Sequence, residues 1–271
     1  MSPKKRASKW PSKITKPEEL PSLWVWHVYS SDHWNAARLL CMKCADLEAN
    51  PRPPMVIDEI EFPIDPAQKR EHRSYAMASI LSSVAFLEAS LNELLASASD
   101  DYLPVGGGRG PLTDIERQAL YDVRGQLGPP FLNKFQRVLT LLDRQPFDTA
   151  TQPYQDTDTL VKLRNMLVHA IPARIPLGST IQIAENDIQI AENDVLKILA
   201  SKNFALHPFA DENSPFFPDK CLGAACAKWA ENTARTFADE FFSRLGVTPA
   251  YAAQSGSPSS AGSARRTAGG R

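Results

Sequence analysis

No apolar stretch of this chain stays free of acid long enough to cross a membrane. The most apolar window, Tyr75 to Ala98, contains Glu88 and Glu93, and a carboxylate in hydrocarbon is costly. No hydrophobic leader opens the sequence, and there are only four cysteines in 271 residues. That scarcity fits reduced thiols in a cytosol rather than a disulfide framework. The expectation is a cytoplasmic protein with no membrane contact. The glycine cluster Gly106-Gly107-Gly108-Arg109-Gly110 lacks both the Lys-Ser/Thr ending and the preceding strand of a phosphate-binding loop, which argues against that class of nucleotidase. It reads as a flexible loop, with Arg109 able to reach a substrate as part of a lid.

Net charge is also nearly absent, at −1, but its layout is uneven. Six Lys/Arg and no acid occupy residues 1–17, and three Arg and no acid occupy residues 250–271, which leaves −10 on residues 18–249. An acidic body does not hold nucleic acid by bulk charge, so any RNA contact has to be local. Length and apolar content suggest one main domain with appendages. Residues 1–20 read as a disordered basic tail, 21–66 as an N-terminal helix and strand decoration, 67–247 as a helical domain, and 248–271 as a disordered Ser/Gly/Ala-rich tail.

What is present is mostly helical periodicity. Leu23 to Tyr29 is aromatic and β-branched and reads as a short strand or packed extended segment. Asp32 is placed to cap a helix over 33–48, with Trp34, Ala37, Cys41 and Cys44 on one stripe. Residues 55–64 alternate like an edge strand. A long helix over 73–97 carries the seam Met77, Ile80, Val84, Leu87, Leu91 and Leu94, with Glu88 and Asn92 as a polar pair beside it. Thr113-x-x-Glu116 is a capping box for the next helix, which Gly128-Pro129-Pro130 breaks. Phe131 to Leu142 follows, with Phe131, Phe135, Val138 and Leu142 inward. IQIAEND occurs in tandem at 181–187 and 188–194, and its isoleucines two apart suit a small β-hairpin. A short helix over 194–202 and a long one over 218–245 close the fold. The latter places Leu222, Cys226, Trp229, Thr233, Thr236, Phe237 and Phe241 inward and ends at Gly246.

The chemistry concentrates in residues 157–171. Leu160, Leu163, Leu167 and Ala170 draw one apolar stripe, Thr157 or Asp158 caps the start, and Pro172 ends the helix. Off the stripe, Asn165 and His169 form an i, i+4 pair with Arg164 at its flank. A histidine titrates near neutrality and serves as acid or base. An arginine offers phosphate a permanent planar fork. An asparagine orients either group without adding charge. The same wedge also has a purely structural reading, with Arg164 paired to Glu88 and His169 bonded to a core acceptor.

Arg164-Asn165 followed by His169 on a helix resembles the mark of the HEPN (higher eukaryotes and prokaryotes nucleotide-binding) superfamily, over roughly residues 67–247. The order also fits: a long helix with Glu88 and Asn92, the motif helix, then a closing aromatic helix. The resemblance implies an all-α, HEPN-like four- to five-helix bundle. It further implies a metal-independent endoribonuclease acting in bacterial defence or stress, with Arg164, Asn165 and His169 catalytic. Glu88 and Asn92 would support Arg164, and Lys162 and Arg109 would touch RNA. A homodimer would bring in a His169 from each chain, as acid and base are two jobs. An antitoxin or other regulatory partner is compatible with it. Ile171 stands where some members carry a modifiable tyrosine, so silencing by that route is not supported. The alternatives are a non-catalytic HEPN module binding RNA or nucleotide, and a structural or signalling dimer.

No cofactor or metal is expected. Cys41-x-x-Cys44 and the Cys221/Cys226 pair fall on apolar stripes without zinc-knuckle context, and read as core thiols. His27, His33, His72 and His207 show no partner pattern. Trp24, Trp26 and Trp34 can stack bases or simply pack a small subdomain.

Overall fold

The longest element, α2 (Pro66–Ser97), starts where Asp65 accepts a hydrogen bond from the Ala67 amide at 2.8 Å, with Pro66 at the first helical position. Both are strong start signals, and they set the helix two turns earlier than its apolar seam alone suggests. The computed structural model describes residues 27–57, 60–62, 64–99, 111–128, 130–169, 193–211 and 214–253. The described chain is mostly helical, as an all-α class requires. Ile80, Val84, Leu87, Leu91 and Leu94 of the expected seam are buried and Met77 is half-buried. Each fully buried aliphatic side chain contributes roughly 1.5–3 kcal/mol.

Helix α1 (Ser30–Ala49), read from the sequence as part of a decoration, lies along α2 and puts Cys44 into the main core. Small side chains allow the close approach: Ala37 and Ala76 are fully buried, and Ser79 of α2 donates to the Ala37 carbonyl at 2.8 Å. Asp32 does not cap α1. The helix begins two residues before it, and the Ser30 amide and hydroxyl are taken up by Glu93 of α2 at 2.7 and 2.6 Å. A partner on another helix thus does the work expected of a local cap. That role also accounts for Glu93 within the apolar window from Tyr75 to Ala98. α2 is long and apolar enough to cross a membrane, and half of that window is buried inside the bundle.

The segment expected as one edge strand folds on itself instead. β1 (Met55–Ile57) and β2 (Ile60–Phe62) pair antiparallel, with Met55 opposite Phe62 and Ile57 opposite Ile60. A lone strand leaves its backbone groups unpaired, and among the described residues no other strand offers a partner. The hairpin expected around the IQIAEND repeat lies outside the described residues, apart from Asn193 and Asp194. Asn193 caps the next helix by accepting from the Val195 and Leu196 amides.

Helices α3 (Asp114–Val123) and α4 (Phe131–Leu141) follow as expected. The capping box is complete: Thr113 accepts from the Glu116 amide, and Glu116 accepts from the Thr113 amide. α5 (Tyr154–Val168) packs on α2 and on the last long helix, and α6 (Asp194–Ser201) packs on α5. A wide turn at Phe216–Lys220 leads to α7 (Ala224–Leu245), and α8 (Ala250–Ala253) closes the described chain. On α7, Cys226, Thr233, Phe237 and Phe241 are buried and Trp229 is half-buried, but Thr236 is exposed. Thr233 and Phe237 sit one turn apart on the inward face, which leaves Thr236 on its flank. Phe135 of α4 meets Phe237 and Phe241 edge-on at 5.1 and 4.9 Å between ring centres, and Phe147 stacks on Phe237 at 4.5 Å. This aromatic cluster seats α7 against the α4–α5 side of the core.

Candidate functional site

Helix α5 carries the Arg-Asn…His wedge at its C-terminal end. Its start lies a turn earlier than expected, so Thr157 is not a cap. It is buried inside the helix and its hydroxyl donates to the Pro153 carbonyl at 2.9 Å. The end also comes earlier. The last helical residue is Val168, and His169 occupies the C-cap with φ −107° and ψ 25°, its amide donating to the Asn165 carbonyl at 2.9 Å. Leu160 and Leu163 are buried, Leu167 is half-buried, and Ala170 to Pro172 lie outside the described residues.

Asn165 and His169 are both exposed, and Arg164 is half-buried one residue back. The helix therefore delivers a cation, an amide and an imidazole to one accessible end. Glu88 and Asn92 on α2 are exposed, and among the described residues no hydrogen bond or ion pair joins either of them to Arg164. Lys162 points along its own helix and pairs with Asp158 at 2.7 Å. Arg109 lies outside the described residues. A cleft of about 330 Å³ opens at the other end of α5. Gln152, Tyr154, Asp156, Thr159 and Lys202 are among the residues that line it, and none of the wedge residues does. Asp156 and Lys202 pair across it at 2.5 Å.

Comparison with protein-family models, with curated proteins and with solved structures returned no match.

A second polar cluster, unnoticed in the sequence, sits where α1, α2 and the start of α7 meet. His72 of α2 is buried and its Nε2 lies 2.7 Å from Oε1 of Glu48 on α1. The same oxygen accepts from the Ala224 amide at 2.7 Å and faces the Cys44 thiol at 3.9 Å. Burial alone would raise the Glu48 carboxyl, but hydrogen bonds from His72 and the Ala224 amide bring it below the usual carboxylate range. Burial, with the Glu48 charge behind it, pushes the Cys44 thiol well up. His207 packs its ring on His72, centre to centre 4.5 Å, and its Nε2 donates to the Asp219 carbonyl at 2.8 Å. Its Nδ1 is buried and has no partner among the described residues. Burial and the neighbouring His72 lower its basicity.

His72 and His207 thus have partners that the sequence pattern does not show. One signal was readable: Cys44 and Glu48 are one turn apart on the same face of a predicted helix. Their meeting with His72 and His207 depends on tertiary packing and leaves no spacing in the sequence. Trp34 is half-buried and packs against the core, on Phe86 at 5.4 Å, with the Arg235 guanidinium over its ring. Trp24 and Trp26 lie outside the described residues.

Proposed function

We propose that this chain is a HEPN-type endoribonuclease that cleaves RNA by attack of a 2′-hydroxyl on the adjacent phosphate, leaving a 2′,3′-cyclic phosphate. The observation that carries the reading is the Arg164-Asn165-x-x-x-His169 wedge at the accessible end of α5, with Asn165 and His169 exposed. A structural wedge would show Arg164 held by Glu88 and His169 inside the core. Glu88 and His169 are both exposed, and no described bond ties Arg164 to Glu88.

In the proposed reaction, His169 exchanges the proton that the 2′-hydroxyl loses or the 5′-oxygen gains. Arg164 holds the charge that builds on the phosphorane oxygens, and Asn165 orients phosphate or imidazole. Lys162 and Arg109 add backbone contacts. One chain supplies one imidazole, so a homodimer that brings two α5 ends together would provide both acid and base. Defence or stress is the setting, and an antitoxin or similar regulator the partner, that this class of enzyme suggests.

The wedge of one chain holds a single imidazole, His169, and that favours one other reading, a HEPN module that binds RNA or nucleotide without cutting it. Incubation with total RNA in EDTA separates the two. The endonuclease predicts cyclic phosphate ends from wild type and none from His169→Ala. RNA retained intact by both proteins would move the assignment to the binding module.

A further inference from the structure

Nothing in the proposed ribonuclease chemistry uses the cluster between α1 and α2. Three different metal-binding atoms converge there: Cys44 Sγ, Glu48 Oε1 and His72 Nε2 all lie within 4.8 Å of one another. Two come from one helical turn of α1 and the third from α2, so the set bridges two successive helices of the chain.

We propose that Cys44, Glu48 and His72 bind a zinc-like divalent transition metal that clamps α1 to α2. Thiolate, imidazole and carboxylate together suit zinc. Tetrahedral zinc, with bonds of about 2.0–2.3 Å, sets its ligand atoms roughly 3.3–3.8 Å apart. The Cys44–Glu48 separation of 3.9 Å lies just above that range. The His72–Glu48 pair, at 2.7 Å, has to open by about half an ångström as metal replaces the shared proton. His72 then binds through Nε2 with its proton moved to Nδ1, Glu48 binds as the carboxylate, and Cys44 releases its proton to solvent, so three protein–metal bonds form as one S–H bond and one Nε2–H bond break, and no electrons are transferred. The Glu48 side chain is 21% exposed while that of His72 is 2% exposed, so the fourth position, filled by water, lies on the Glu48 side. His207 is a wall rather than a ligand: its Nε2 is committed to the Asp219 carbonyl, and neither ring nitrogen belongs to the set of atoms that lie within 4.8 Å of one another.

The test measures zinc per chain in protein purified without chelator, and the spectrum after loading with cobalt(II). Wild type should carry about one zinc and show a thiolate-to-cobalt charge-transfer band. Cys44→Ser should lose the band, and both Cys44→Ser and His72→Gln should bind at least about tenfold more weakly. Glutamine can still donate to Glu48, so His72→Gln preserves the hydrogen bond and the fold. Cys41→Ser, a buried thiol outside the set, should behave as wild type. Zinc no higher in wild type than in folded His72→Gln, with no thiolate band, would overturn the proposal and leave the cluster as a hydrogen-bonded clamp.

Discussion

The amide of His169 donates to the carbonyl of Asn165 at 2.9 Å, so a backbone hydrogen bond at the end of α5 joins two members of the wedge. His169 is thereby anchored through its backbone while its side chain stays exposed. Substituting His169 should accordingly leave folding almost untouched. His169→Ala should melt within about 0.5 kcal/mol of wild type, as exposed positions do, and a larger loss would show that the ring is structural.

Glu93 anchors the start of α1 by accepting from both the amide and the hydroxyl of Ser30. Glu93→Ala should leave both donors without that partner and cost about 1–3 kcal/mol. Hydrogen exchange should quicken in the first turn of α1 before any other helix. Unchanged exchange there would contradict the anchoring role.

Gly223 is required by contact rather than by backbone angle. A Cβ at this position would stand 2.5 Å from Cδ2 of His207 and 2.9 Å from Oε1 of Glu48. Gly223→Ala should therefore force the Glu48–His72–His207 cluster apart, at about 1–3 kcal/mol by the usual cost of overpacking. A thermal melt equal to wild type would show that the cluster yields freely. Gly246→Ala is a different case: φ is +67° in the αL cap of α7 with open space around it, and the cost of about 1 kcal/mol is purely conformational.

Acid should weaken the α3 cap. The amide and then the hydroxyl of Thr113, with Arg144 nearby, hold the Glu116 carboxyl below its ordinary range. A carboxyl depressed in the folded state stabilises fully above its unfolded pKa, about 4.3, and loses that contribution as pH falls through the lower folded value. Glu116→Gln should flatten stability against pH in that window, with little change at neutrality beyond the lost charge. An identical acid limb in the variant would exclude Glu116 as a contributor.

Much of the helical order was legible because apolar spacing and local caps act over a few residues. The Thr113–Glu116 box, the seam of α2 and Gly246 all express short-range rules, and each stands where the sequence puts it. The misses are tertiary. Asp32 looked like the cap of α1, yet Glu93 reaches Ser30 from sixty-three residues away. Residues 55–64 alternate as a strand should, but the sequence does not say that their partner is themselves. The wedge was legible as residue types at a helical spacing, and the structure adds that its helix stops at Val168. The Glu48, His72 and His207 cluster left no spacing to find, as its members come from different elements.

The most direct test of the proposed activity is the cleavage rate of a defined RNA in EDTA by wild type and His169→Ala, with melting curves taken in the same buffer. General acid–base catalysis is worth about 10²–10⁴-fold, so the account predicts a loss of that size in a variant that melts like wild type. Cleavage at the wild-type rate by His169→Ala, leaving the same cyclic phosphate ends, would contradict it.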